Sequence, residues 1–192
     1  MERITILGAG PLATAMGVLL ARANWPIEGI SSRDHSAALV SSLRIGCSAY
    51  PDPLEPVARS SLVLLALAQE EVAPEAARLA PALGEDTVVA HTCGGLGPDA
   101  LGGRHGLALQ PLQHVPDAAA GLERLPGSLF ALEGPADAVR RGSELVRAIG
   151  GVPREVCSAG RAAYASGIEE LLARPVPFDE AAEFLERWAQ AE

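Results

Sequence analysis

The run ITILGAGPLA at residues 4–13 decides how this chain is expected to fold. Its first four residues are apolar or β-branched, two glycines follow, and Pro11 then begins a helical pattern. This order predicts a buried strand, a tight turn and a helix, because proline is favoured in the first helical position. Gly8 permits the tight turn, since glycine readily adopts backbone angles that are costly for other residues.

The same turn predicts a ligand site. Gly10 lets the backbone approach a ligand without a side chain in between, and Ala13 keeps the helix close to the strand. The first helical turn, which contains Pro11 and Leu12, has free amides, and the positive end of its dipole attracts negative charge. A G-x-G-x-x-A pattern between a strand and a helix therefore predicts that the diphosphate of a dinucleotide binds here.

Short apolar runs alternate with helical patterns from this turn to about residue 157. The predicted strands cover residues 3–7, 26–31, 45–49, 62–66, 87–91, 106–109, 128–132 and 153–156, and the predicted helices cover 11–23, 34–43, 70–83 and 136–149. This alternation predicts that residues 1–157 form an α/β domain with a Rossmann-type, doubly wound and mostly parallel sheet. The short connections after residue 106 allow one antiparallel pair of strands.

Residues 158–192 are predicted to form a short helical appendage, with helices at 161–173 and 179–190. Apolar residues from Phe178 to Trp188 form a wide stripe on the last helix, which a solvated tail would not carry. We expect the stripe to pack on the chain's own sheet, and the alternative is contact with a partner subunit. The stripe also motivates the expectation of a homodimer, in which the tail could close the pocket.

The composition limits the classes of partner. The 192 residues carry a net charge of −9, so binding to nucleic acid or to an anionic membrane is not expected. Cys47, Cys93 and Cys157 lie far apart without a CxxC pair, which predicts neither a disulfide framework nor a metal site. No secretory leader and no bilayer-spanning stretch are expected, so the cytoplasm is the expected location.

The end of the second predicted strand is expected to select the cofactor. NAD sites usually place a carboxylate there, which accepts hydrogen bonds from the ribose hydroxyls. Here Ser32 and Arg33 come first, and a hydroxyl beside a guanidinium suits a 2′-phosphate. Asp34 could bind a ribose directly, but its place just before a helical pattern suits an N-cap. NADP is therefore the predicted cofactor, with NAD as the alternative.

Residues at the ends of later strands are the candidates for chemistry. Ala66 and Leu67 are expected to line the path of the cofactor, and Thr92 to orient a ligand. Reduction of a carbonyl or an imine needs a proton donor, and histidine is suited to that role near neutral pH. His91 is the first candidate and His114 the second, although each could instead be a structural or surface histidine.

Two other side chains that can exchange protons are expected to be structural. Cys93 lies next to glycines without an identified base, and a thiol in that setting is usually inert. Tyr164 falls in the helical tail, where packing is the more common role for a phenol. Neither is therefore a leading candidate for proton transfer.

Several segments, taken in order, resemble a known family. They are residues 4–13, 32–33, 62–66, 91–94, 109–112 and 130–134. Their order resembles a group of Rossmann-like, NADP-binding oxidoreductases related to 6-phosphogluconate dehydrogenase and pyrroline-5-carboxylate reductase, over roughly residues 1–166. The resemblance implies an NADP-binding domain joined to a helical domain that completes the substrate pocket and the dimer.

Three features depart from that group. Gln110 stands where the group usually has histidine, which weakens a proton-transfer role for this turn. Only about 30 residues follow Gly160, so the helical domain is expected to be largely missing. The chain also has no lysine, which excludes the lysine that related substrate pockets often use.

Two classes of function are left open by the sequence. The first is an NADP-dependent oxidoreductase that acts on a small carbonyl or imine, with a deazaflavin-dependent NADP reductase as a related version. The second is a non-catalytic NADP-binding or redox-sensing module, which Gln110 and the missing helical domain favour. The fold alone does not choose between them, because function belongs to the site.

Overall fold

An eight-stranded sheet forms the centre of the computed structural model, which describes residues 2–103, 105–157 and 161–189. The side chains of residues 161–163 and 189 lie outside this description. The strands are β1 (Ile4–Leu7), β2 (Ile27–Ser31), β3 (Ala49–Tyr50), β4 (Leu62–Leu65), β5 (Val88–His91), β6 (Gly106–Pro111), β7 (Leu129–Glu133) and β8 (Val152–Glu155).

The strands are arranged in the order β3-β2-β1-β4-β5-β6-β7-β8. Strands β1 to β6 are parallel, β7 is antiparallel to β6, and β8 is parallel to β7. The chain progresses outward from β1 to β3 and returns to β4 on the other side of β1, which creates a crevice at the carboxyl ends of these two strands. The predicted α/β, Rossmann-type and mostly parallel sheet is confirmed, together with its antiparallel pair.

Helices cover both faces of the sheet. They are α1 (Pro11–Arg22), α2 (His35–Ile45), α3 (Leu54–Ala58), α4 (Gln69–Leu79), α5 (Ala118–Arg124), α6 (Ala136–Ala148), α7 (Arg161–Leu171) and α8 (Phe178–Ala189). Leu64 belongs to the buried cluster with α1 and α6, whereas Val63 and Leu65 belong to the cluster with α4. This alternation follows the two-residue period of a strand. None of the helices in the described residues has both the length and the apolar character needed to cross a membrane.

The predicted third strand at residues 45–49 is wrong in most of its length. Helix α2 continues through Ile45, and Gly46 ends it in the left-handed conformation with φ 82°. The strand is only Ala49–Tyr50. Of this run, only Ile45 lies on the helix, and its side chain is buried in the core cluster. The short helices α3 and α5 were not predicted, because five and seven residues are too few to show a helical period.

The helical tail packs on the sheet. Apolar residues of α8, among them Leu185 and Trp188, form one buried cluster with Leu129 and Ala131 of β7. The ring of Tyr164 on α7 lies 4.1 Å from that of Trp188, centroid to centroid. These contacts confirm the interpretations of the apolar stripe as intramolecular packing and of Tyr164 as a packing residue. The predicted end of the last helix, at residue 190, lies outside the described residues.

Arg141 on α6 holds together the amino ends of three strands, and this end of the sheet is called its amino edge, as opposed to the carboxyl edge where the strands end. Its Nη1 donates to the carbonyl of Asp86 at 2.7 Å, and its Nη2 donates to the carbonyl of Ser61 at 2.5 Å. Its Nε donates to a carboxylate oxygen of Glu2 at 2.6 Å. The three partners precede β5, β4 and β1, and the Arg141 side chain is only 7% exposed. One buried cation therefore ties together the starts of three adjacent strands.

Candidate functional site

Gly8 makes the turn after β1, and the fold itself requires a glycine there. Its φ is +104°, and its amide donates to the carbonyl of Ser31 at 2.8 Å. A Cβ at this position would lie 2.2 Å from the carbonyl oxygen of Ala66. A side chain would thus collide with the backbone after β4 and strain its own backbone.

Gly10 presents the opposite situation, because the protein does not require it to be small. Its φ is −73°, which any residue adopts, and a Cβ there would meet no atom of the described part of the chain within 4 Å. Gly10 is the N-cap of α1 and supplies no side-chain cap, so the amides of Leu12 and Ala13 have no partner within the helix. Open space in front of free amides at a positive helix end fits the diphosphate of a dinucleotide.

A hydroxyl network braces this turn from behind. The Thr14 hydroxyl donates to the carbonyl of Gly10 at 2.9 Å, and its oxygen lies 2.9 Å from the hydroxyl of Ser41. Ser41 in turn donates to the carbonyl of Ala9 at 3.4 Å. The side chains of Thr14 and Ser41 are both buried. Sequence reasoning missed both, because Ser41 lies on α2 and only the packing of α1 against α2 brings it to the turn.

A cavity of about 280 Å³ opens beside the turn, at the carboxyl ends of β1, β2 and β4. It is lined by Leu7, Gly8, Ala9, Ser31, Ser32, Arg33, Pro51, Pro53, Ala66, Leu67, Ala68, Glu71, Glu75 and Arg78. The structure thus brings together Gly8, Ser32, Arg33, Ala66 and Leu67 among the predicted cofactor residues. Thr92, His91 and His114 are not among the lining residues.

Arg33 is held at the cavity by one carboxylate. It forms an ion pair with Glu71 of α4, and its side chain is 89% exposed, whereas that of Glu71 is 20% exposed. The carboxylate of Asp34 is engaged within the protein, since it accepts from the amide of Ala37 at 3.1 Å and caps α2. The N-cap interpretation of Asp34 is confirmed.

Arg78 is a second cation of the cavity that the sequence did not single out. It forms a two-pronged contact with Glu75, at 2.8 and 3.1 Å, and reaches Asp52 at 3.2 Å. The hydrogen bonds to Glu75 are the main reason why the pKa of Arg78 is raised. No motif could have identified it, because its place depends on α4 lying beside the segment that follows β3.

His91 braces the loop that follows β5. Its side chain is fully buried, its Nδ1 accepts from the amide of Cys93 at 3.2 Å, and its Nε2 lies 3.1 Å from the carbonyl oxygen of Gly97. Because Nδ1 is an acceptor, the ring proton is assigned to Nε2, which donates to that carbonyl. Both ring nitrogens therefore contact the backbone of residues 92–97.

His114 lies on the loop after β6 and contacts the helical tail. Its Nδ1 is 2.7 Å from the carbonyl oxygen of Leu172, and its own carbonyl accepts from Arg124 at 3.2 Å. The neighbouring Gln113 accepts from the amide of Val176 at 2.9 Å and donates to its carbonyl at 3.0 Å. This turn therefore fixes the link between α7 and α8.

The loop after β5 is closely packed. A Cβ on Gly94 would lie 3.0 Å from Ile168 of α7, and a Cβ on Gly95 would lie 2.3 Å from Gln69 of α4. The Cys93 thiol donates to the carbonyl of Leu67 at 3.3 Å. Burial, and then the negative charge of Glu70, raise the pKa of the Cys93 thiol to about 11. The thiol is thus neutral at physiological pH, as expected for a structural cysteine.

The fold and the turn together define the class of this protein, an α/β protein with a strand–turn–helix motif suited to a dinucleotide. The profile of the Rossmann-like domain family matches residues 2–113, which is more than half of the chain, and the chain belongs to this family. The sequence matches no curated protein.

Solved structures share the fold at low sequence identity. A candidate NADP oxidoreductase from Bacteroides fragilis is 17% identical with a TM-score of 0.71, covering 97% of this chain and 78% of that one. Prephenate dehydrogenase from Aquifex aeolicus is 14% identical with a TM-score of 0.73, covering 99% and 87%. For 3-hydroxyisobutyrate dehydrogenase from Mycobacterium tuberculosis the values are 19% and 0.69, covering 85% and 57%. These identities establish the fold alone.

Proposed function

We propose that this chain binds NADP at the turn after β1 and is an oxidoreductase that exchanges hydride with a small carbonyl or imine. The contrast between the two glycines carries the proposal. Gly8 is required by the fold, whereas Gly10 keeps open a space that none of the described residues fills, at the uncapped N-terminus of α1. A ligand with a negatively charged group that lies close to the backbone, such as a diphosphate, accounts for that space.

The cavity residues would hold the cofactor in a defined direction. The first turn of α1 binds the diphosphate, and the adenosine half lies in the cavity, where Ser32 and Arg33 face a 2′-phosphate. The backbone at Ala66 and Leu67 follows the cofactor toward Thr92 at the end of β5. The bound nicotinamide would supply or accept the hydride. The resemblance of the sequence to NADP-binding oxidoreductases related to 6-phosphogluconate dehydrogenase also supports NADP as the cofactor.

Proton transfer by His91 or His114 is part of this proposal. His91 is the last residue of β5, next to Thr92, but its Nε2 proton is engaged by the carbonyl of Gly97 at 3.1 Å. It would act as a donor only if the loop of residues 92–97 moved. His114 would likewise have to give up its contact with Leu172 at 2.7 Å. Both histidines therefore depend on a rearrangement that substrate binding would have to supply.

A second candidate is a module that binds NADP without turnover. The observation that favours it is the packing around the loop after β5, where Ile168 contacts Gly94 and the ring of His91 is bonded to the backbone. In this version the tail contacts the region where a substrate would bind. Oxidation of NADPH with a panel of small aldehydes, ketones and imines distinguishes the two. Binding without any turnover would favour the module.

The test of the proposal is the binding of NADPH and NADH, measured by calorimetry on the wild-type protein and on two variants. Gly10→Ala is expected to fold normally and to lower the affinity for both cofactors at least about tenfold, because the methyl group enters the space of the diphosphate. Arg33→Ala is expected to lower the affinity for NADPH about tenfold and to spare NADH. If the wild-type protein binds neither cofactor, the proposal is wrong.

We also propose a cytoplasmic homodimer. The surface for it cannot be the apolar stripe of α8, whose buried residues already pack on β7. Leu39, Val40 and Leu43 of α2 are exposed by 48%, 54% and 85%, and they offer an apolar surface for a second copy of this chain. Sedimentation at micromolar concentration tests this, and a monomer there would contradict it.

A further inference from the structure

The ion pair between Arg33 and Glu71 occupies the place where the sequence predicts a 2′-phosphate. Both residues line the cavity at the carboxyl ends of β1 and β2. Among the described residues, the carboxylate of Glu71 holds the guanidinium of Arg33, and 89% of the Arg33 side chain is exposed. Arg33 is therefore free to turn toward another anion that enters the cavity.

Glu71 is held more firmly than Arg33. Its second carboxylate oxygen accepts from the amide of Ala68 at 3.3 Å, where it caps the N-terminus of α4, and its side chain is only 20% exposed. One oxygen thus serves the helix and the other serves Arg33. When a ligand draws Arg33 away, the carboxylate of Glu71 is expected to stay in the cavity wall.

We propose that Glu71 is a specificity-determining residue that competes with the 2′-phosphate of NADP for Arg33. This inference rests on the proposed function, because it concerns the same cofactor. A phosphate carries up to two negative charges and offers several acceptor oxygens, so it can displace one carboxylate oxygen from the guanidinium. NADH has no 2′-phosphate and leaves the Arg33–Glu71 pair intact. Glu71 therefore lowers the preference for NADP that Arg33 creates.

The decisive variant is Glu71→Gln, which removes the charge and keeps an oxygen that can accept from Ala68. We expect the affinity for NADPH to rise roughly three- to tenfold, because Arg33 becomes free to bind the phosphate. The affinity for NADH is expected to change less than about twofold. Calorimetry with both cofactors measures this, and an unchanged unfolding midpoint in urea shows that the cap of α4 is kept.

The matched control is Glu75→Gln, one helical turn further along α4. Glu75 also lines the cavity, but its carboxylate is bound by Arg78 at 2.8 and 3.1 Å and not by Arg33. This variant removes the same charge from the same wall but leaves the Arg33–Glu71 pair in place, so the gain in NADPH affinity is expected to stay clearly below that of Glu71→Gln. An equal gain in both variants would mean that the net charge of the cavity decides, and would overturn the proposal.

The double variant Arg33→Ala/Glu71→Gln tests the route of the effect. If Glu71 acts by competing for Arg33, the gain from Glu71→Gln falls below about twofold once Arg33 is absent. A gain that persists in full would mean that Glu71 repels the phosphate directly, and the proposed competition would be wrong. Unchanged NADPH affinity in the single variant, or a loss of NADH affinity, would also overturn it. Failure of the proposed function is distinct, because the wild-type protein would then bind neither cofactor.

Discussion

Polar groups are paired within the protein at the amino edge of the sheet, whereas at the carboxyl edge the first amides of α1 have no side-chain cap. At the amino edge, Arg141 donates to two backbone carbonyls and to Glu2, so the starts of β1, β4 and β5 are joined within the protein. At the carboxyl edge, Gly10 gives the first amides of α1 no side-chain cap, and a Cβ on Gly10 would meet none of the described residues within 4 Å. Satisfied polar groups stabilise a fold, whereas exposed donors in an open space can bind a ligand. The comparison separates residues that hold the sheet from residues that hold its ligand.

The largest expected effect lies at the amino edge. Arg141→Ala is expected to lower the free energy of unfolding by about 3 kcal/mol, because it breaks a partly buried ion pair with Glu2 and removes a donor from the carbonyls of Asp86 and Ser61. Urea unfolding measures the loss, and the affinity for NADPH is expected to stay unchanged at temperatures where the variant is folded. A stable variant with weakened NADPH binding would contradict the assignment of stability to the amino edge and ligand binding to the carboxyl edge.

Arg140→Ala is the control for that prediction. Arg140 is the neighbouring arginine of α6, and its side chain is 58% exposed in ion pairs with Asp137 and Glu144. Exposed pairs of this kind contribute little to stability, so urea unfolding is expected to show a smaller loss than for Arg141→Ala.

The second prediction compares the two glycines of the carboxyl edge. Gly8→Ala is expected to destabilise the protein by about 2 kcal/mol or more, because of the backbone strain at φ +104° and the collision with Ala66. Gly10→Ala is expected to change stability by less than about 0.5 kcal/mol and to affect only ligand binding. Thermal or urea unfolding of both variants checks this. Equal destabilisation would show that Gly10 is also a structural residue.

The third prediction concerns Asp34, which lies beside the cavity but belongs to the fold. Asp34→Ala is expected to cost about 1 kcal/mol in unfolding free energy, since α2 loses the side chain that accepts from Ala37. The affinities for NADH and NADPH are expected to remain the same. If calorimetry shows a selective loss of NADH binding, Asp34 binds the ribose after all.

The smallest effect is expected for the reactivity of Cys93. Its thiol is expected to react slowly with iodoacetamide, as measured by peptide mass spectrometry. Burial and Glu70 raise the pKa of Cys93 to about 11, so the thiolate fraction stays small from pH 7 to 9 and grows only as the pH approaches 11. Cys47, whose pKa burial also raises to about 11, should behave in the same way. The exposed Cys157 is the internal reference. Modification of Cys93 as fast as Cys157 at pH 8 would contradict a buried, neutral thiol.

Local patterns in the sequence identified the features that depend on neighbouring residues. The turn at residues 4–13 and the N-cap at Asp34 were predicted, because a strand, a glycine turn and a capping side chain act over a few positions. The prediction failed at residues 45–49, where an apolar run after a helix looked like a strand. Short apolar runs do not distinguish the two structures, and only the left-handed Gly46 marks the true end of α2.

The sequence by itself thus determined the fold class, the order of the main elements and the glycine turn, since hydrophobic periodicity and glycine chemistry are local properties. The tertiary structure decided which distant side chains meet. It brought Arg33 to Glu71 and Thr14 to Ser41, and it bonded His91 to the backbone of its own loop. Such contacts depend on how helices and strands pack, and residues 27 or 38 positions apart carry no sign of one another in a single sequence.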